Sequence, residues 1–187
     1  IVYEVRLKEA MENSLLCPFH YFGISDLEVD GKVIDELSEF SNLVSSERVE
    51  HIISKINYYG YSGDRVKGLI FCSSKQEAKV LSEEFNTRGY NTTSLTGEDS
   101  QERREQEISK LVANDGDMLD YIFTVDIFNE GVDIPEVNQV IMLRPTQSSI
   151  IFIQQLGRGL RKSANKEFVV IIDFIANYKN NFLIPVA

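Results

Sequence analysis

The chain contains no tryptophan, only two cysteines and two histidines, and no apolar run as long as a transmembrane helix. Cys17 and Cys72 are far apart, and neither has a histidine or a second cysteine at metal-ligand spacing. His20 and His51 are equally isolated. The sequence therefore predicts no metal site, no disulfide framework and no membrane contact. Its sparing use of cysteine is typical of a reducing cytoplasm.

A phosphate-binding loop is also missing. The one Gly-Lys pair, Gly31-Lys32, has no second glycine at the spacing that a P-loop requires. The segment Val33-Ile34-Asp35-Glu36 resembles the strand-Asp-Glu pattern of a magnesium site. However, it follows a turn and only two apolar residues precede its acidic pair, which favours the start of a helix.

Positive charge is in short supply. The 187 residues include 29 acidic and 19 basic side chains, a formal net charge of −10. Nonspecific binding of nucleic acid depends on neutralising phosphates with lysine and arginine, so this balance argues against a large basic surface. Contacts to a nucleic-acid backbone through amides and hydroxyls remain open. The chain starts at Ile1 without a methionine and ends on apolar residues, so we expect a piece of a longer protein.

What the chain does contain is an alternation of apolar runs and amphipathic segments from about Lys67 to Asp173. Five short apolar runs are predicted as strands, over residues 68–72, 91–95, 121–125, 137–143 and 168–173. Amphipathic segments lie between them, the first opened by a Ser74–Glu77 capping box. This pattern predicts an α/β fold with a mostly parallel sheet and helices on both faces. We expect residues 1–66 to form an N-terminal appendage and residues 67–187 to form the main domain.

The most informative segment is predicted to be a helix that carries two arginines. At about 100° per residue, Gln154, Arg158 and Arg161 share one face, and three apolar residues share the opposite one. Arginine has a rigid, permanently charged fork that matches phosphate oxygens. The alternative is an ordinary amphipathic helix with a solvated basic face. That alternative does not explain Gly157 and Gly159, since each glycine costs a helix interior about 1 kcal/mol.

A second motif, Gly131-Val132-Asp133, follows the third predicted strand. A Gly-x-Asp in such a loop can offer an exposed amide and a carboxylate to a ribose hydroxyl; the alternative is a turn with an Asx-type hydrogen bond. The chain thus has arginines suited to a triphosphate and no loop to hold one. We infer that the phosphate comes from another domain or chain and that the arginines stabilise charge developing in phosphoryl transfer.

Here the sequence resembles the C-terminal RecA-like lobe of a superfamily 2 helicase or translocase, of the DEAD/DEAH or type III restriction-subunit type. Four stretches match that superfamily's conserved motifs in order: Gly68–Cys72, Thr96-Gly97 with Arg103, Glu130–Pro135, and Gln154-x-x-Gly157-Arg158-x-x-Arg161. One departure is Val125, which stands where many members have the threonine that here is Thr124.

The resemblance implies site roles. Arg158 and Arg161 would be arginine fingers aided by Gln154, Gly131 and Asp133 would approach the nucleotide, and Thr96, Gly97 and Thr124 would approach the nucleic-acid backbone. ATP and Mg²⁺ would be held mainly by an N-terminal RecA-like lobe of the same protein. The intact protein would be an ATP-dependent helicase, and this chain alone would be inactive.

Finer expectations follow from Leu15–Phe19 and Ile172–Phe182, which resemble bacterial helicases of the type III restriction-subunit class. We expect a bacterial, cytoplasmic protein that acts on DNA and carries a fused nuclease domain. Two other interpretations stay open: a non-catalytic RecA-like interaction module, and the sugar-nucleotide lobe of a glycosyltransferase. The second would need a glycine-rich loop and an acidic donor-binding residue, neither of which is found.

Overall fold

A computed structural model of the chain describes residues 17–29, 32–33, 40–125, 134–143, 162–163 and 165–175. These residues form eight strands and four helices. The strands are β1 (Phe19–Ser25), β2 (Glu28–Val29), β3 (Lys32–Val33), β4 (Gly68–Phe71), β5 (Thr92–Leu95), β6 (Tyr121–Thr124), β7 (Gln139–Met142) and β8 (Val169–Ile175). The helices are α1 (Phe40–Leu43), α2 (Ser46–Tyr59), α3 (Lys75–Thr87) and α4 (Gln101–Val112).

Six strands form one sheet in the order β1-β8-β7-β4-β6-β5, and every neighbouring pair in it is parallel. Strands β2 and β3 form a separate antiparallel pair. After β4 the chain builds β5 and β6 on one side and then crosses to β7 on the other. Such a reversal creates a crevice at the carboxyl ends of the strands, where ligands of open α/β sheets bind.

Serine side chains set the starts of the three longer helices. Ser45, Ser74 and Ser100 are the N-caps of α2, α3 and α4, and each hydroxyl accepts a hydrogen bond from the amide three residues later. An N-cap hydroxyl satisfies an amide that the first helical turn leaves unpaired. The predicted cap at Ser74 is confirmed. At α4 the residue before the cap, Asp99, has a different role described below.

The sheet separates two apolar layers. Helix α4 covers one face through Ile108, Leu111 and Val112, which pack with sheet residues such as Leu69 and Ile122. Helices α2 and α3 cover the opposite face, where residues such as Ile52, Leu81 and Phe85 pack against the other side of the same strands. The predicted α/β sheet with helices on both faces is confirmed.

The segment before residue 67 contributes to this same core. Strand β1 pairs with β8 along its full length at the edge of the sheet, and α2 packs on the central face. A domain boundary at residue 67 stays a prediction. Residues on both sides of that position belong to the same hydrophobic core. None of the four helices described is long and apolar enough to cross a membrane.

Candidate functional site

Three neighbouring strands end together at one edge of the sheet. In the register of the parallel pairs, Phe71 of β4 and Leu95 of β5 both lie opposite Thr124 of β6. The amide of Cys72 extends this pairing by donating to the Thr124 carbonyl at 2.9 Å. The carboxyl ends of β4, β5 and β6 are therefore neighbours. They form the edge of the sheet at which open α/β folds bind ligands.

The loop after β5 carries the predicted residues Thr96 and Gly97, and Asp99 organises it. One Asp99 carboxylate oxygen accepts from the Thr96 amide at 2.7 Å and from the Thr96 hydroxyl at 3.3 Å. The same hydroxyl accepts from the Glu98 amide at 3.3 Å. Gly97 is exposed. The polar groups of the loop therefore hold it in one conformation, in which the backbone of Gly97 is exposed to solvent.

A neighbouring arginine, and not the one singled out from the sequence, completes this loop. Arg104 donates to the Gly97 carbonyl at 2.9 Å and to the Thr96 carbonyl at 3.4 Å. Arg103, matched to the superfamily motif above, instead pairs with Asp99 on the exposed side of α4. The match of Arg103 to the superfamily motif stays a prediction. The two side chains differ by about 100° around the helix, so Arg104 reaches the loop carbonyls whereas Arg103 reaches the Asp99 carboxylate.

Thr124 lies at the same edge but is fully buried, at 0% exposure. Among the residues that the structure describes, its hydroxyl has no hydrogen-bond partner, while its carbonyl accepts from Cys72 as described. Burying a hydroxyl without a partner is costly, so such groups are uncommon in native folds. The predicted contact of Thr124 with nucleic acid stays a prediction, and it would require the hydroxyl to become accessible.

The loop after β4 is held by Glu77, in the first turn of α3. One Glu77 carboxylate oxygen accepts from the Ser73 amide at 2.7 Å, and the Glu77 amide donates to the Ser74 hydroxyl at 3.1 Å. The predicted capping box therefore forms with a shift of one residue, because the glutamate reaches the amide before the N-cap instead of the N-cap amide itself. The other Glu77 oxygen is engaged by an arginine.

That arginine is Arg48, which the sequence patterns did not single out. Its guanidinium donates to Asp26 at 2.9 Å, to Glu77 at 2.9 Å and to the carbonyl of Leu43 at 2.7 Å. Burial by itself would lower the pKa of Arg48, but the charges and hydrogen bonds of Asp26 and Glu77 outweigh it and raise the pKa above its ordinary value. The group is a permanently charged link between α2 and the start of α3.

An exposed ion pair joins the first two loops. Lys75, the first residue of α3, pairs with Glu98 of the β5 loop at 2.5 Å. Both side chains are largely exposed, at 54% and 76%, so the pair adds little to folding stability. Its interest is its position, since it lies between the two loops of this edge.

The residues predicted to meet the nucleotide lie outside the residues that the structure describes. They are Gly131, Asp133, Gln154, Arg158 and Arg161. The chain leaves β6 at Thr124 and β7 at Met142, and both strands end at the edge just described. Within the described parts of the chain, no group of three acidic, histidine or cysteine side chains could hold a metal ion.

Comparison with known proteins places this arrangement in a family. The family model for the helicase conserved C-terminal domain matches residues 47–163. The IRC3 protein of Saccharomyces cerevisiae, which carries the name of an ATP-dependent helicase, is 29% identical over 181 residues. That alignment covers 94% of this chain and 26% of the yeast protein. The ATP-dependent RNA helicase SrmB of Haemophilus influenzae is 26% identical over 112 residues, which covers 60% of this chain and 25% of SrmB.

Solved structures agree on the fold. A fragment of a type I restriction enzyme HsdR subunit from Vibrio vulnificus has a TM-score of 0.69 at 20% identity, covering 95% of this chain and 36% of that one. The C-terminal domain of the DEAD-box protein Dbp5 has a TM-score of 0.55 at 16% identity, covering 88% of this chain and 79% of that domain. With a family model that spans most of the sheet, this chain belongs to the helicase conserved C-terminal domain family, as the C-terminal RecA-like lobe of a superfamily 2 helicase.

Proposed function

We propose that this chain is the lobe of an ATP-dependent helicase or translocase that binds nucleic acid and completes the ATP site. The observation that carries the proposal is the loop of Thr96 and Gly97, which Asp99 and Arg104 hold by hydrogen bonds with Gly97 exposed. A preformed loop of hydroxyl and amide groups can bind a phosphate backbone without a basic surface. This agrees with a net charge of −10.

For the nucleotide, the proposal assigns Arg158 and Arg161 as arginine fingers, with Gln154, Gly131 and Asp133 beside them. Sequence supports it, since the chain has paired arginines and no P-loop. ATP and Mg²⁺ would be held mainly by an N-terminal RecA-like lobe. When the two lobes close, the guanidinium groups would stabilise the charge that develops on the transferred phosphoryl group. Cycles of closing and opening would move the lobes along a strand.

The alignment supports a larger whole, because this chain spans 26% of the yeast relative and 36% of the matched HsdR fragment. In that protein residues 67–187 would form the helicase C-terminal RecA-like domain, with residues 1–66 as an N-terminal appendage that links it to the first lobe. A bacterial cytoplasmic protein that acts on DNA, with a fused nuclease domain, is the finer proposal. Its support is the sequence resemblance at residues 15–19 and 172–182.

The test uses the full-length protein and measures ATP hydrolysis with no nucleic acid, with oligo(dT) and with oligo(U). Stimulation by an oligonucleotide is expected. Thr96→Ala should raise the oligonucleotide concentration needed for half-maximal stimulation about tenfold, because the loop loses the hydroxyl that joins Asp99 to the Glu98 amide. Thr87→Ala, at the far end of α3, is the matched control. A wild-type rate that no oligonucleotide changes would reject the proposal, and stimulation by oligo(U) alone would reject DNA.

A further inference from the structure

The buried ion cluster of Asp26, Arg48 and Glu77 has no part in the function as proposed so far. Its three side chains are 2%, 1% and 0% exposed. They come from three separate parts of the chain: the end of β1, the first turn of α2 and the first turn of α3. A second Arg48 nitrogen approaches the same Asp26 oxygen at 2.8 Å. Arg48 therefore uses nearly all of its fork on fixed partners.

Glu77 connects this cluster to the site. One of its oxygens accepts from Arg48 and the other accepts from the Ser73 amide, so the carboxylate has no freedom to rotate without breaking a buried contact. In the described part of the chain the hydroxyl of Ser73 has no hydrogen-bond partner, so Ser73 is tied to α3 through its amide and the Glu77 carboxylate. The position of the loop after β4 is therefore set by Glu77, and that of Glu77 by Arg48.

Stability alone does not account for the cluster. A buried ion pair roughly breaks even against well-packed apolar side chains, because removing the charges from water costs about what their attraction returns. The distinctive property of the cluster is its geometry, since the rigid guanidinium fork fixes the arrangement of the carboxylates that it binds. In addition, Asp26 precedes residue 47, where the match to the family model begins. One member of the cluster thus lies outside the segment that the family model covers, whereas Arg48 and Glu77 lie inside it.

We propose that Arg48 is a positioning residue for nucleic-acid binding: through Glu77 it holds the β4 loop and Lys75 in register with the Thr96–Gly97 loop. This inference rests on the proposed function. The Lys75–Glu98 pair at 2.5 Å shows how close the two loops are. Loss of the anchor lets the first turn of α3 shift relative to the β5 loop, and the two stretches of backbone no longer fit one strand.

The test compares Arg48→Lys with wild type in the full-length protein. Lysine keeps the charge and loses the fork. A second variant, Asp26→Asn with Arg48→Met and Glu77→Gln, removes all three charges together, so that no unpaired buried charge prevents folding. Arg88→Lys is the control, since Arg88 pairs with Glu84 at the opposite end of α3. The readouts are ATPase stimulation by oligo(dT) and oligo(U) and hydrogen exchange of the Ser73 and Ile70 amides.

Both Arg48 variants are expected to raise the half-saturating oligonucleotide concentration about tenfold, with a much smaller change in the rate at saturation. Exchange at Ser73 should accelerate while Ile70, inside β4, keeps its protection. Joint acceleration of both amides with an unchanged half-saturating concentration would overturn the proposal, because the cluster would then only stabilise the fold. If wild type shows no response to either oligonucleotide, the proposed function fails. Faster exchange at Ser73 alone would then still support the anchoring of the loop by Arg48. Unchanged exchange at both amides would overturn the anchoring as well.

Discussion

Arg104 and Gly97 are joined across the start of α4: the guanidinium donates to the glycine carbonyl at 2.9 Å. The contact ties a helix that packs on one face of the sheet to an exposed loop at its carboxyl edge. It also distinguishes two consecutive arginines, since Arg103 pairs with the Asp99 carboxylate and Arg104 with the loop carbonyls. Loop and helix therefore move together.

We predict that Arg104→Ala weakens the response of the full-length ATPase to nucleic acid more than Arg103→Ala does. Removing Arg104 frees the carbonyls of Thr96 and Gly97, whereas removing Arg103 breaks an exposed ion pair worth at most about 1 kcal/mol. We expect about a tenfold rise in the half-saturating oligonucleotide concentration for Arg104→Ala. Titrations of ATPase rate measure it, and equal effects of the two variants would contradict the prediction.

Arg158→Ala and Arg161→Ala should each lower ATP turnover of the full-length protein by about 10³–10⁵, the range known for arginine fingers. ATP affinity should fall much less, because the N-terminal lobe would make most phosphate contacts. Arginine to lysine should restore little, since lysine lacks the fork. Turnover assays and thermal melts on the same proteins decide the matter. Normal melting together with wild-type turnover would refute the assignment, and unfolding of both alanine variants would make the arginines structural.

The 187-residue chain alone should neither hydrolyse ATP nor bind nucleic acid tightly. It has no P-loop, and its net charge of −10 leaves few counterions to release on binding. A purified fragment, assayed for ATPase and titrated with oligo(dT) at physiological salt, tests both points. Protein-dependent turnover would contradict the first, and a submicromolar Kd would contradict the second.

Tyr121 should make the fold sensitive to alkaline pH. Its hydroxyl donates to Gln139 at 2.6 Å, and burial, aided by the nearby Tyr90 and Asp120, raises its pKa well above the ordinary value. In the unfolded chain it titrates near about pH 10. The folded state therefore keeps a proton that the unfolded state loses, so this contribution is complete below about pH 10 and declines above it.

Tyr121→Phe should accordingly cost about 1–3 kcal/mol near neutral pH, because the Gln139 oxygen loses its buried donor. The difference in unfolding free energy between this variant and wild type should narrow as the pH rises through about 10 to 11. Denaturant unfolding at a series of pH values measures it. Tyr58→Phe is the matched control, since Tyr58 is 80% exposed. A gap that stays constant with pH would show that Tyr121 does not contribute this dependence.

Sequence by itself determined the parts of this protein that depend on near neighbours. Apolar runs predicted the central strands, and Ser74 predicted the start of α3, because a cap and its amide lie three residues apart. Alternation of strands and helices was enough for a parallel sheet with two covered faces, since a parallel crossover needs a helix to bury its apolar side. The order of the motifs was enough for the family.

Only the tertiary structure decided which groups meet across long separations. Asp26, Arg48 and Glu77 are spread over more than fifty positions of sequence, and no periodic pattern relates a buried arginine to carboxylates on other elements. The choice of Arg104 over Arg103 depends on how α4 is rotated against the sheet, and the burial of Thr124 depends on the strands on either side of it. Local preferences determine each helix and strand, whereas packing determines the angles and distances between them. A functional site depends on those angles and distances, because its residues come from different elements.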